Sequence, residues 1–193
     1  MAEKSITYEL LAIGGSAGSL EVILDILPGI PTNFPLAILI VLHRRNTESV
    51  LTALLSDKTP LPVKEIEEKE PIYPGTIYIA PGDYHVLIEH NKSFSLDYSE
   101  KVNFSRPSID VAFETAAEVY ADKLIGLLLS GANADGTEGL RAIKERGGLT
   151  IVQNPENASV SYMPQQAIDA VTIDKVLDVQ HIIQLLQTLN QPL

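Results

Sequence analysis

A serine, a histidine and an aspartate, three residue types that together can hydrolyse an ester, each follow a strand-like apolar run in this chain. Ser16 lies in Ile13-Gly14-Gly15-Ser16-Ala17-Gly18, His43 follows the run Leu36 to Leu42, and Asp135 lies in the loop after Leu124 to Leu129. A serine hydroxyl attacks a carbonyl carbon when a base takes its proton, and the base needs a partner that fixes its tautomer and stabilises the imidazolium. The carboxyl ends of strands in an open parallel sheet converge on one crevice, so these three positions suit a serine hydrolase. Gly14-x-Ser16-x-Gly18 also fits the nucleophile elbow, in which the hydroxyl projects from a sharp turn and the next N–H, that of Ala17, points at an oxyanion.

Each residue has a plainer reading. From the turn alone, catalysis, phosphate binding and a merely structural strand-to-helix turn stay open, although the glycines do not match G-x-G-x-x-G and no P-loop Lys-Ser/Thr pair follows. The chain has 4 histidines. His181 falls in a terminal helical pattern and His90 near a hairpin tip, both as surface residues, while His85 lines a site or braces a turn. His43 is the best placed base, against a packed or capping histidine. Asp135, in Gly131-Ala132-Asn133-Ala134-Asp135-Gly136, is either the carboxylate partner or a helix-entry and turn residue.

The elements that must carry these groups follow from periodicity. Tyr8 to Ile13 reads as a strand, then Leu20, Ile23, Leu24 and Leu27 mark one face of a helix. Leu36 to Leu42 is continuously apolar, as for a strand buried on both faces, and a helix follows from Glu48 to Ser56. Between Pro60 and Tyr98 short strands alternate with turn signals such as Pro74-Gly75 and Pro81-Gly82, which predicts an antiparallel excursion with a hairpin of Val86 to Glu89 and Ser93 to Leu96. Ser108 is the expected N-cap of a helix striped by Ile109, Ala112, Phe113, Ala116 and Tyr120, with Asp110 in its first turn. After the strand Leu124 to Leu129, a helix from Thr137 to Arg146 ends at Gly147 as its C′ residue. Leu149 to Val152 reads as a strand, Pro164 as the first residue of a short helix, and Val179, Ile182, Ile183 and Leu186 as the closing helix. The expected fold is α/β, a doubly wound, mostly parallel, Rossmann-like sheet with helices on both faces and a small antiparallel hairpin excursion.

Composition narrows the function. The 193 residues, 45% hydrophobic and 20% charged, suit one domain with a sizeable core. There is no cysteine, which removes disulfides, thiolate metal sites and a cysteine nucleophile and agrees with a reducing compartment. The net charge of −11, from 25 acidic and 14 basic residues, opposes nucleic-acid binding. No signal region opens the chain and no apolar run approaches the ~18 residues of a membrane span, so a cytoplasmic protein without membrane insertion is expected. The histidines lack ligand spacing, and neither a metal nor a cofactor is implied.

With Ser16, His43 and Asp135 in view, the chain from about Leu11 to Asp178 resembles the catalytic domain of the chemotaxis protein-glutamate methylesterases, the CheB family. The segments that carry the resemblance are Ala12-Ile13-Gly14-Gly15-Ser16, the strand ending in His43, Tyr78-Ile79-Ala80-Pro81-Gly82-Asp83, Ser105-Arg106-Pro107-Ser108-Ile109-Asp110-Val111, Ser130-Gly131 with Asp135-Gly136, and Gln153-Asn154. The resemblance implies one catalytic domain over residues 1–193. In it Ser16 is the nucleophile, His43 the base, Asp135 its partner, and the Ala17 N–H with another turn amide forms the oxyanion hole. The implied reaction hydrolyses a glutamyl γ-methyl ester on a chemoreceptor's cytoplasmic domain, or on a related signalling protein, to glutamate and methanol, with glutamine deamidation as a secondary activity. Arg106 orients a substrate carboxylate or forms a structural salt bridge, and His85 braces the site.

Several positions depart from the family pattern. Leu42 and Arg44-Arg45 replace the glutamine before and the Met-Pro after the base histidine, and Ala132 replaces a methionine, keeping its N–H for an oxyanion but losing a bulky wall. Arg44 and Arg45 recruit an acidic receptor segment or form a solvated turn. The family's receiver domain is missing from this sequence, so a separate regulatory receiver protein and excision from a longer chain both stay open. A binding or scaffold module that keeps the fold without useful turnover is the competing function, and nucleotide binding at the glycine-rich turns is a third.

Overall fold

The computed structural model describes residues 7–44 and 50–189. Strands β1 (Leu10–Gly15), β2 (Ala37–Leu42), β3 (Val63–Glu65), β4 (Ile77–Ile79), β7 (Leu124–Leu128), β8 (Leu149–Gln153) and β9 (Lys175–Leu177) form one sheet in the order β3-β4-β2-β1-β7-β8-β9. Every neighbouring pair in it is parallel. The remaining strands, β5 (His85–Ile88) and β6 (Phe94–Asp97), make a separate antiparallel hairpin. The doubly wound fold expected from the alternation of apolar runs is therefore present, with one correction. The stretch Pro60 to Tyr98 contains the hairpin, but β3 and β4 extend the parallel sheet instead of pairing antiparallel. Pro74-Gly75 is a turn, as its residues predict, and it leads into β4, with the Gly75 N–H on Leu36 O at the entry to β2.

Alternation along the central strands sends side chains into two layers. Leu10, Ala12, Leu39, Val41 and Leu128 face one core, which is covered by α3 (Ile109–Tyr120), α4 (Thr137–Glu145) and α5 (Tyr162–Ala170). Leu11, Ile13, Ile38, Ile40 and Leu127 face the other, beneath α1 (Ser19–Ile26) and α6 (Val179–Thr188). A continuous apolar run is what such a two-sided strand requires. In α1 the fully buried positions are Val22, Ile23 and Ile26, whereas Leu20 and Leu24 of the expected stripe are half-buried. The next helix, α2, covers Val50–Ser56; Glu48, its expected start, lies outside the described residues, as does Arg45.

Two helix ends are specified locally. The Ser108 side chain caps α3 by accepting from the Val111 N–H, and the Gly147 and Gly148 N–H groups close α4 on Lys144 O and Ile143 O. Pro164 is not the first residue of α5, which begins at Tyr162; it sits two places further on, still within the first turn, where its missing N–H has no helical acceptor to lose.

The sheet reverses its winding direction at β1, which has β2 on one side and β7 on the other, so the loops after β1, β2 and β7 share one crevice. Leu129 N–H bonds Gly14 O and Ser16 N–H bonds Ser130 O, which continues the β1–β7 pairing into both glycine-rich turns. Ser130 is fully buried and sends its hydroxyl to Ala17 O, 2.7 Å away, while its N–H is held by Gln153 Oε1 at 2.9 Å.

Helices α3 and α4 approach closely at Gly139, where an added Cβ would lie 2.5 Å from Phe113 Cβ and 3.2 Å from Asp110 Cα. Gly139→Ala is expected to force the helices apart and lower the unfolding free energy by about 1–3 kcal/mol, although alanine is the better helix former. Urea denaturation checks it, and a more stable variant would show that the contact relaxes freely.

Candidate active site

The residues singled out in the sequence stand at three strand ends. Ser16 follows β1 in a turn that enters α1; the N-cap residue of that helix, Gly18, has φ +80, and a Cβ on it would meet Ser159 at 2.6 Å. A glycine is therefore required there both by conformation and by space. His43 follows β2, its N–H on Gly15 O at 3.2 Å, and Asp135 lies between β7 and α4.

His43 Nε2 and Asp135 Oδ2 are 2.6 Å apart. The carboxylate accepts, so Nε2 carries the proton and Nδ1 is left as the basic nitrogen. Ser16 and His43 line one cleft of about 270 Å³, whose other walls come mostly from the apolar Leu20, Leu42, Val50, Leu51 and Leu54, completed by Ser19 and Arg44. Among the described residues no hydrogen bond joins Ser16 Oγ to the imidazole; the hydroxyl recorded near Nδ1 is that of Ser105, at a long 3.4 Å. Hydrogen bonds of this kind are often loose without substrate and tighten in the complex.

Asp135 is fully buried. Its Oδ2 accepts from Ile109 N–H at 2.7 Å, and its Oδ1 from the Ser108 hydroxyl and Asp110 N–H, both at 3.0 Å, and from Gly136 N–H at 3.1 Å. The carboxylate thus sits on the open N-terminus of α3, where unpaired N–H groups and the helix dipole favour a negative charge. Burying a carboxylate costs several kcal/mol, and each hydrogen bond to a charged group returns about 1.5–3 kcal/mol, so a set of this size can offset the cost. Burial by itself pushes the carboxyl up, but the bonds from His43, Asp110 and Ile109 outweigh it and hold Asp135 below the ordinary carboxylate range.

The exchange is reciprocal. Asp110, in the first turn of α3, accepts from Gly136 N–H at 2.9 Å and Gly139 N–H at 2.8 Å, and so fills the N-terminus of α4. Its other oxygen takes Asn103 Nδ2 at 2.8 Å. Burial raises the Asp110 carboxyl, the Gly139 N–H lowers it, and the charge on Asp135 raises it again, to about 7. His85 is buried beneath this corner, accepting Ser108 N–H on Nδ1 at 3.1 Å and donating from Nε2 to Glu100 O at 2.8 Å, which makes it a brace for the start of α3.

The other expected site residues spread out. Ala17 and Ala132 are both exposed, on the two facing turns. Arg106 does not line the Ser16 cleft; it lines a second cavity shared with His43, donates to Ser99 O at 2.8 Å and stacks on the Tyr98 ring at 3.9 Å. No ion pair of Arg106 is recorded among the described residues. Arg44 is paired with Glu65 at 2.7 Å rather than standing in a purely solvated turn. Sequence reasoning missed Ser105, Asn133, whose side-chain nitrogen is 3.3 Å from Ser105 Oγ, and the role of Asp110. The signal for Asp110 was present, an acid in the first turn of a helix, but nothing local told which helix it served.

An α/β fold with an imidazole and carboxylate bonded beside a serine elbow defines a candidate serine hydrolase. The profile of the CheB methylesterase family matches residues 11–186, and the chain belongs to that family. A protein of Leptospira interrogans, provisionally named protein-glutamate methylesterase/protein-glutamine glutaminase, is 48% identical over 187 residues, 96% of this chain and 97% of its own. The Thermotoga maritima protein-glutamate methylesterase/protein-glutamine glutaminase is 35% identical over 92% of this chain, which spans 53% of that relative. The crystal structure of the Thermotoga maritima CheB methylesterase catalytic domain superimposes with a TM-score of 0.86 at 35% identity, covering 93% of this chain and all of that one.

The raised Asp110 carboxyl makes stability depend on pH. Folded Asp110 keeps a proton up to about pH 7, whereas the unfolded carboxyl loses it near 3.8. The stabilisation is therefore complete below the lower value, is lost as pH rises to the upper one, and is constant above. Asp110→Asn cannot ionise, so its stability relative to wild type should improve between about pH 4.5 and pH 7.5. Urea denaturation at both pH values tests this, and a constant difference would assign the proton elsewhere.

Proposed function

We propose that this chain acts, as a single catalytic domain, as a serine-dependent protein-glutamate methylesterase on the methylated cytoplasmic helices of chemoreceptors or related signalling proteins. The observation that carries the reading is the 2.6 Å bond between His43 and a buried, ionised Asp135, beside Ser16 in the same cleft, in a chain of the CheB methylesterase family. His43 Nδ1 takes the proton of Ser16 as its oxygen attacks the ester carbonyl, and the oxyanion is held by the N–H groups of Ala17 and Ala132. The proton passes from His43 to the departing methoxide, releasing methanol and leaving an acyl-serine. Water activated by the same nitrogen then cleaves the acyl group, which yields glutamate and restores Ser16. A glutaminyl amide in place of the ester releases ammonia, the deamidation that the relatives' names include.

Asp135 contributes by keeping Nε2 protonated and by balancing the imidazolium. Arg106 holds the mouth of the site and meets carboxylates of the substrate. The substrate places the protein in the cytoplasm, under the control of a receiver domain in the same polypeptide or in a separate one; no helix among the described residues is long and apolar enough to cross a membrane. The scaffold alternative is disfavoured because the chain belongs to a family whose matched relatives are named as methylesterases. Nucleotide binding at the glycine-rich turn after β7 is disfavoured because the N-terminus of α4, a natural cradle for phosphate, is already filled by Asp110.

Wild-type protein and Ser16→Ala, incubated with a radiomethylated receptor cytoplasmic fragment, are compared by volatile methanol. Ser16→Ala and His43→Ala should each lose roughly 10⁴-fold or more in kcat, and the double variant no more than either single one, since the two act as a unit. Methanol release by a folded Ser16→Ala protein at the wild-type rate would refute the nucleophile.

A further inference from the structure

His43 also borders a cavity of about 260 Å³ lined by Arg44, Asp83, Lys101, Phe104, Ser105 and Arg106. Phe104 is 96% exposed. It stands at the tip of a two-residue turn, in which Val102 N–H bonds Ser105 O at 3.1 Å and Ser105 N–H bonds Val102 O at 2.8 Å. The residues between them have positive φ, 49 for Asn103 and 63 for Phe104. Such turns ordinarily carry Asn-Gly, and here a phenylalanine takes the glycine's place. A bulky side chain at positive φ strains the backbone, and a ring left wholly in water gains nothing from burial. Neither feature contributes burial or backbone ease to the fold.

The turn is tied to the catalytic groups on both flanks. Asn103 donates to Asp110, which fills the N-terminus of α4, and Ser105 Oγ lies 3.4 Å from His43 Nδ1 while meeting Asn133. Phe104 is thereby held at a set distance from the place where the ester must sit. Charge identifies the occupant. Although the chain carries −11 overall, the cavity presents Arg44, Lys101 and Arg106 against the single acid Asp83. Arg44 is engaged by Glu65 and Arg106 by Tyr98 and Ser99, whereas no ion pair of Lys101 is recorded among the described residues. Each turnover of the proposed esterase leaves a carboxylate where a neutral ester stood, so a segment with several such sites is acidic in every state short of full methylation.

We propose that the Val102–Ser105 turn is the docking point for the protein substrate: Phe104 packs on the apolar face of the acidic amphipathic helix that bears the methylated glutamate, and Lys101 meets the acidic side chains beside it. The proposal rests on the esterase reading of Ser16 and His43.

The test is binding without turnover. A fluorescein-labelled, methylated receptor cytoplasmic fragment is titrated, with anisotropy as readout, into Ser16→Ala protein and into the same protein carrying Phe104→Ala, Phe104→Trp or Lys101→Glu, each shown to melt as its parent does. Phe104→Ala should weaken binding about tenfold, in keeping with the loss of one buried aromatic side chain, and Phe104→Trp should restore it to within about twofold. Lys101→Glu should weaken binding at low salt, with the difference fading at about 0.5 M salt. Binding by Phe104→Ala within twofold of its parent, or no measurable binding of the fragment to Ser16→Ala protein, overturns the proposal. Sedimentation without the fragment addresses a second copy as occupant: a dimer that Phe104→Ala dissolves also overturns it. Phe104-dependent binding alongside a wild type that releases no methanol would refute the esterase reading and leave the docking site standing.

Discussion

The candidate active site depends on the crossed placement of two carboxylates at two helix N-termini. Asp135 precedes α4 yet occupies the start of α3, and Asp110 belongs to α3 yet occupies the start of α4. Each acid satisfies N–H groups that a buried helix end would otherwise leave without partners. Neither helix can shift along the other without breaking bonds at both ends, and the close approach at Gly139 brings the Asp110 oxygen within reach. The position of the acid behind the imidazole is thereby set by backbone packing rather than by a side-chain rotamer alone, which is the form of support a preorganised site requires.

The same arrangement decides which face of the histidine works. Asp135 approaches from the side of α3 and takes Nε2, so the nitrogen nearer the backbone, Nδ1, is the one left to a nucleophile. That shorter reach matches the way His43 is carried, its own N–H on Gly15 O one residue before Ser16. A strand-end histidine tied to the neighbouring strand end needs no long side chain to meet the elbow. The pairing of β1 with β2, extended by this one bond, is thus part of the geometry of the proposed site.

What was legible in the sequence follows the strength of local constraints. β1, β2 and β7 are buried on both faces and had to be continuous apolar runs, β8 is one broken only by Thr150 before Gln153, and Ser108 and Gly147 announced helix ends by their own chemistry. β3 and β9 are sheet-edge strands of three residues with polar or half-exposed positions, and β4 is equally short, so turn residues around them dominated the pattern and a parallel extension resembled an antiparallel excursion. In the candidate site, Ser16, His43 and Asp135 could be singled out because each follows an apolar run. The partners of Ser105, Asn133 and Asp110 could not, since they lie 62, 28 and 29 residues away and no periodicity relates them.

Charge sets a further constraint on the proposed chemistry. A chain of −11 repels an acidic partner at long range, so attraction cannot come from the overall field. At physiological ionic strength, however, charges separated by more than about 8 Å are largely screened, and what a docking segment meets at contact is the local cluster of Lys101, Arg106 and Arg44. Recognition of the proposed substrate is then short-ranged and geometric: the cleft beside Ser16 is lined mostly by Leu20, Leu42, Val50, Leu51 and Leu54, with Arg44 at its border. An uncharged ester arm is desolvated at less cost on such walls than a carboxylate is, and Arg44, the cation that borders both cavities, is already engaged by Glu65.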